Sequence, residues 1–119
     1  MRPTPTFPFN ADELSGKNFH FIGIGGCGMS GLARLLSQLG ACVSGTDSTP
    51  SPITQALIDD GINVCYEQNG QSIDHTSSAV VASAAIAEEH PEILVAEELG
   101  IPVLSYAKML GLVQQCRTA

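Results

Sequence analysis

The sequence predicts an α/β fold in which a five-stranded parallel sheet lies between helices. Short apolar segments alternate with helical ones along the chain, and such alternation specifies parallel strands joined by crossovers. A glycine-rich stretch, Gly23-Ile24-Gly25-Gly26-Cys27-Gly28-Met29-Ser30-Gly31, separates the first strand from the first helix. The composition agrees. The chain of 119 residues is 44% hydrophobic and only 14% charged, which excludes a disordered chain. A domain of this size buries about two-thirds of its unfolded surface and needs neither metal nor disulfide to fold.

Met1 to Lys17 form a proline-rich arm, with Pro3, Pro5 and Pro8 favouring extended, poorly ordered backbone. The domain proper runs from Asn18 to Ala119. Phe19 to Ile24 is rich in Phe and Ile and ends in glycines, so it reads as a buried strand. A helix follows over Gly28 to Leu39, because Met29, Leu32, Ala33 and Leu36 repeat at the spacing of one apolar face. Gly40 closes it. Ala41 to Gly45 is the second strand. Ser51-Pro52 starts the second helix, with Ser51 as N-cap and proline at the first helical position, and Gly61 stops it. Ile62 to Tyr66 is the third strand, followed by a polar loop over Glu67 to Thr76. Ala79 to Ser83 is the fourth strand. Pro91 opens a helix that runs toward Gly100. Ile101 to Ser105 is the fifth strand, and Ala107 to Gln115 a last helix. Right-handed crossovers leave few topologies. The expected one is a Rossmann-like three-layer α/β/α sandwich with strand order 3-2-1-4-5.

Charge narrows the partners. Five Lys and Arg stand against twelve Asp and Glu, a net charge of -7. The chain cannot present the basic stripe of a duplex nucleic-acid binder, nor dock on anionic lipid. It can still bind one compact anion, provided that backbone dipoles do the holding. Met1-Arg2-Pro3-Thr4-Pro5 lacks the apolar stretch of a signal peptide, and no apolar run approaches a membrane span. Cys27, Cys42, Cys65 and Cys116 form no C-x-x-C pair and match no common zinc spacing. A reduced, cytoplasmic setting is expected, with Cys42 and Cys65 as buried thiols on strands.

The glycine stretch carries G-x-G-x-x-G twice, at Gly23/Gly25/Gly28 and at Gly26/Gly28/Gly31. Glycines let the backbone turn tightly and approach a phosphate with no Cβ in the way. The N–H groups at the helix start point at the ligand, and the helix dipole favours negative charge there. Strand before and helix after are the right context for a nucleotide loop. The other reading is tight helix–strand packing with no ligand. The absence of a G-K-[ST] ending excludes a Walker-type loop in this segment. Asp47 follows the second strand, nineteen residues after Gly28, where dinucleotide folds place a ribose-binding acid. A turn aspartate is the other reading. Ser48 and Thr49 add donors. Ser83-Ala84-Ala85-Ile86, at the carboxyl end of the fourth strand, lies where the strand order reverses, and ligands of open α/β sheets bind there. Cys27 has no base near it in sequence and reads as a small loop residue. His20 reads as a core histidine, and His75 and His90 as loop surface. Glu88-Glu89, Glu97-Glu98 and Asp59-Asp60 read as solvated faces.

The glycine loop is more particular than a dehydrogenase fingerprint. The run His20-Phe21-Ile22-Gly23-Ile24-Gly25-Gly26-Cys27-Gly28-Met29-Ser30-Gly31-Leu32-Ala33 resembles the opening of the UDP-N-acetylmuramate–L-alanine ligase (MurC) family. Val43-Ser44-Gly45-Thr46-Asp47 resembles that family's second strand, and Ser83-Ala84-Ala85-Ile86 its serine–alanine–isoleucine turn. Pro91-Glu92, Gly100-Ile101-Pro102-Val103 and Ala107-Lys108-Met109-Leu110 resemble its last helix, strand and helix. The resemblance covers the chain from about Lys17 onward.

The resemblance implies a three-domain, ATP-dependent ligase of peptidoglycan synthesis, and so of cell-wall biogenesis, cell shape and division. In that family the substrate carboxylate is activated as an acyl phosphate and attacked by L-alanine. The first domain holds the UDP end of UDP-N-acetylmuramate. By this analogy the backbone from Gly25 through Gly26, Cys27, Gly28, Met29 and Ser30 faces the pyrophosphate. Asp47 and Ser48 face the uridine, and Ser83, Ala84, Ala85 and Ile86 line the other wall. The chain stops at Ala119, about where the family's G-T-H-G-K-[ST] ATP loop should begin. ATP and magnesium therefore belong to a central domain outside this chain, and its partners are that domain and a C-terminal one. The chain alone is expected to bind no cofactor and ligate nothing. Gln68-Asn69-Gly70 stands where many members carry a loop histidine, which puts a contact from that loop in question. The runner-up is a nicotinamide-binding module of a dehydrogenase or ligand-gated regulator. The doubled glycine with Met29-Ser30, which dinucleotide folds do not require, separates the two.

Overall fold

The computed structural model describes residues 16–118, so the proline-rich arm up to Ser15 lies outside the described residues. Five strands form one sheet: β1 (Asn18–Ile22), β2 (Cys42–Thr46), β3 (Asn63–Cys65), β4 (Ala79–Ala82) and β5 (Val103–Ser105). All the pairings are parallel and the order is β3-β2-β1-β4-β5, the one expected among the few topologies that right-handed crossovers leave. Four helices accompany it: α1 (Cys27–Gln38), α2 (Pro52–Asp59), α3 (Pro91–Glu98) and α4 (Tyr106–Thr118). Among the described residues no helix is long and apolar enough to cross a membrane.

Strand alternation sorts side chains onto two faces. Phe19 and Phe21 point to one face, where Leu32 and Leu36 of α1, Leu57 of α2, and Met109 and Val113 of α4 cover them. His20 and Ile22 point to the other, where Val80 and Ala82 of β4 meet Ile93 and Ala96 of α3. Three helices thus share the first face, while α3 alone packs on the second. The β3–β4 connection is an irregular loop, as the polarity of Glu67 to Thr76 predicts. That loop leaves the β2–β3 flank of the second face without a helix. Cys42 lies opposite Asn18, and Cys65 opposite Thr46, on that flank. Cys42 is exposed and Cys65 half-buried, which corrects the expectation of two buried thiols.

The helix ends follow their sequence signals. Ser51 caps α2: its hydroxyl accepts the Thr54 N–H at 3.1 Å, while the Thr54 hydroxyl accepts the Ser51 N–H at 2.8 Å, closing a reciprocal capping box. His90 is not loop surface: it is the N-cap of α3, its Nδ1 accepting the Glu92 N–H at 3.1 Å. Proline at Pro91 fixes the helix start, and the histidine before it supplies the acceptor.

Candidate functional site

At the carboxyl edge of the sheet, β1 ends at Ile22 and the chain turns through Gly23 to Gly26 before α1 begins at Cys27. The turn is anchored on β2, because the Thr46 carbonyl accepts the N–H groups of both Gly23 (2.8 Å) and Ile24 (2.9 Å). Ile24 then drops its side chain into the core. Gly26 donates back to the Gly23 carbonyl at 3.2 Å.

Hydrogen bonding decides which loop amides are available to a ligand. Gly25 donates to Asp47 Oδ2 at 2.8 Å. The Ser30 N–H makes the first helical bond, to Gly26 O at 2.8 Å, and its hydroxyl donates to Cys27 O at 3.0 Å. Gly25, Gly26 and Ser30 therefore spend their donors inside the protein, and Ser30 is itself buried. Gly26 is the N-cap of α1 and carries no side-chain cap. This leaves Cys27, Gly28 and Met29 as the first-turn donors that a helix cannot satisfy internally. The donor set predicted over Gly25 to Ser30 thus centres on three residues, and the macrodipole of a twelve-residue helix adds to them.

Asp47 stands at the end of β2 as expected. Its carboxylate accepts Gly25 N–H through Oδ2 and Thr49 N–H through Oδ1 at 3.3 Å. It is a turn aspartate and a tether of the glycine loop, with lone pairs left for a further donor. Ser48 is exposed beside it, its hydroxyl 3.4 Å from that of Thr49.

Across the loop, Ser83, Ala84, Ala85 and Ile86 follow β4. Ala84 and Ala85 are exposed, and Ile86 turns back to donate its N–H to Ser83 O at 3.1 Å. The predicted opposition of this turn and the glycine loop is realised. A cavity of about 330 Å3 lies between them, lined by Gly26, Gly28, Met29, Ser83, Ala84, Ser105 at the end of β5, and Tyr106 and Ala107 at the start of α4. That is the lower end of the range for ligand sites. A larger cavity, about 660 Å3, opens on the far side of Ser83. Glu88, Glu89 and Glu97 rim it and would repel a phosphate; no acid lines the smaller one.

Tyr106, which sequence reasoning missed, forms part of the smaller cavity's wall. A Cβ at Gly28 would lie 2.9 Å from its ring carbon Cζ, so any larger residue there must displace the Tyr106 ring. The packing reading of that glycine has this contact behind it. The available signal was an aromatic residue at the carboxyl end of the last strand, beside the expected site.

Behind the edge sits a buried polar cluster. His20 is fully buried, as a core histidine should be, with Nδ1 3.1 Å from Ser44 Oγ and Nε2 3.3 Å from Glu92 Oε1. Glu92, also fully buried, accepts from the Thr46 hydroxyl and from Gly70 N–H at 3.3 Å. Burial raises its pKa, but the His20 and Thr46 hydrogen bonds, the charge of His20 and the Gly70 amide together outweigh burial and hold it below the usual value. Among the described residues no group of three or more His, Cys, Asp or Glu is arranged to hold a metal ion.

A profile of the Mur ligase family, catalytic domain, matches residues 18–115. The chain belongs to the Mur ligase family. It is 46% identical over 94 residues to a UDP-N-acetylmuramate–L-alanine ligase of Agathobacter rectalis, which covers 79% of this chain and 20% of that protein. Among solved structures it is similar to the UDP-N-acetylmuramate–alanine ligase MurC of Thermotoga maritima, with TM-score 0.75 and 26% identity over 78% of this chain and 21% of that one. It is also similar to a UDP-N-acetylmuramate:L-alanyl-γ-D-glutamyl-meso-diaminopimelate ligase of Neisseria meningitides, with TM-score 0.72 and 28% identity over 81% of this chain and 30% of that one. This Mur ligase domain therefore spans between a fifth and a third of the length of these relatives. Its homology to peptidoglycan ligases favours the ligase reading of the glycine loop over the nicotinamide one.

Proposed function

We propose that this domain holds the UDP end of UDP-N-acetylmuramate within an ATP-dependent UDP-N-acetylmuramate–L-alanine ligase of the cytoplasm. One observation carries the reading most: in a Mur ligase chain, Gly28 and Met29, two of the three first-turn donors of α1, line a cavity that no acidic side chain lines. A pyrophosphate seated there accepts three backbone hydrogen bonds and lies on the positive end of the α1 dipole. The Ser83 hydroxyl offers a fourth donor from the opposite wall. Asp47 and Ser48, on the β2 side of the loop, face the uridine ribose, and Ala84, Ala85 and Ile86 line the other wall.

The division of labour follows from what the site contains. It offers backbone donors for an anion, and the nearby Asp47 carboxylate is engaged by the Gly25 and Thr49 amides. Its task is to fix one end of the substrate, which lowers the entropic cost of presenting the other end for reaction. ATP and magnesium are supplied through another domain of the ligase, where the carboxylate is activated, and this chain alone ligates nothing. Calorimetric or NMR titration with UDP-N-acetylmuramate, and separately with NAD, tests the reading. Binding of the UDP-sugar with shifts at Cys27, Gly28, Asp47 and Ser83 is expected. Binding of NAD with no response to the UDP-sugar would overturn it.

A further inference from the structure

The Glu92 cluster joins four parts of the chain: β1 through His20, β2 through Thr46, the loop after β3 through Gly70, and α3 itself. Burying a carboxylate costs several kcal/mol unless hydrogen bonds replace its water, and here three donors converge on it. Thr46 is the node. Its hydroxyl donates to Glu92 and accepts from Gln68 Nε2 at 3.3 Å, while its carbonyl anchors Gly23 and Ile24. The loop is gripped a second time at Gly70, where any Cβ would run into the Val95 side chain of α3. Just before this loop, the Tyr66 hydroxyl donates to Thr54 Oγ1 of α2 at 3.0 Å, and the Cys65 carbonyl accepts Asp47 N–H at 3.1 Å, which ties the start of the loop to the segment that follows β2.

We propose that Glu92 is a positioning residue for the nucleoside end of the ligand: through Thr46 and Gly70 it locks the Glu67–Gly70 loop against the end of β2, beside Asp47. The inference rests on the UDP-holding reading above. It assigns Glu92 no contact with ligand. The phosphate donors stand apart from it, since Cys27, Gly28 and Met29 are placed by α1. Loss of the carboxylate therefore loosens the nucleoside wall and leaves the phosphate seat in place.

The test is calorimetric titration of the chain and of two variants, Glu92→Gln and Thr46→Val, with UDP and with inorganic pyrophosphate. Each variant removes one link: the first the charge, the second the hydroxyl at unchanged volume. Both are expected to weaken UDP binding by about tenfold, the scale of one charge-assisted hydrogen bond, while pyrophosphate affinity stays within about twofold. The Gly70 amide should exchange with solvent faster in Glu92→Gln, a readout that a diffuse loss of stability would not single out. If Glu92→Gln does not fold, Thr46→Val carries the test alone. Equal losses for both ligands, or unchanged UDP affinity in a folded variant, would overturn the proposal. Failure of the unaltered chain to bind UDP would instead overturn the site reading, and the positioning role with it.

Discussion

Removing the Asp47 carboxylate separates its two readings. In Asp47→Ala the Gly25 N–H loses a half-buried charge-assisted bond of 2.8 Å, and Thr49 N–H a longer, exposed one of 3.3 Å. The first falls in the class worth about 1.5–3 kcal/mol, and the second adds little because water replaces it. Water also reaches the freed Gly25 amide, so the low end applies, about 1.5 kcal/mol. For a domain near 100 residues that lowers Tm by about 6 °C. Scanning calorimetry of Asp47→Ala against the unaltered chain measures this directly. Asp47→Asn, which keeps one acceptor, should fall between them. Titration then addresses function. The Cys27, Gly28 and Met29 amides are placed by α1, so pyrophosphate affinity should change little while UMP affinity falls about tenfold. A Tm shift under about 1 °C would refute the tether. Comparable losses for UMP and pyrophosphate would refute the ribose role.

Two further outcomes follow from packing and titration. Gly28→Ala places a Cβ 2.9 Å from the Tyr106 ring, so urea denaturation should register a loss of about 1–2 kcal/mol. Tyr106→Ala in the same background should recover part of it, and strict additivity of the two changes would refute the contact. The Glu92 pKa is held below 4.5 in the folded protein, so its contribution to stability is complete above that value and fades as pH falls through the lower folded one. Stability measured downward from about pH 6 should therefore drop more steeply in the unaltered chain than in Glu92→Gln, and parallel profiles would contradict the pairing.

Much of this arrangement is legible in the sequence because it depends on local pattern. Element order follows from apolar periodicity and the α2 start from Ser51-Pro52, while crossover handedness narrows the strand order to a few choices, of which the Rossmann-like one is realised. The glycine loop and the Ser83 turn are legible for the same reason: each sits at a strand end, and the topology brings those ends together. What escapes is sidedness and partnership. Cys42 and Cys65 lie in apolar segments, yet whether a helix covers their face depends on where the β3–β4 connection runs. Tyr106 is one position before the predicted last helix, and only the fold carries it over Gly28. Glu92 follows a proline in a helix's first turn, where an acid is ordinary. Its burial becomes intelligible only when His20, seventy-two residues away in sequence, is seen beside it. A histidine in an apolar strand signals that some partner must exist, without saying which.

The proposed holding of a nucleoside diphosphate by backbone amides has a kinetic consequence. The chain carries a net charge of -7 and a nucleoside diphosphate is itself an anion, so the two repel at long range while attracting at contact. Most charged ligands meet a protein whose field draws them in, and added salt slows their capture. Here salt screens the repulsion over the ~8 Å Debye length of physiological solution and leaves the short-range amide contacts largely intact. Encounter therefore quickens as ionic strength rises, and discrimination among anions is left to the fit of the final few ångströms. A site of this kind is slow to be approached by polyanions in general and selective for the one whose shape matches the turn of α1.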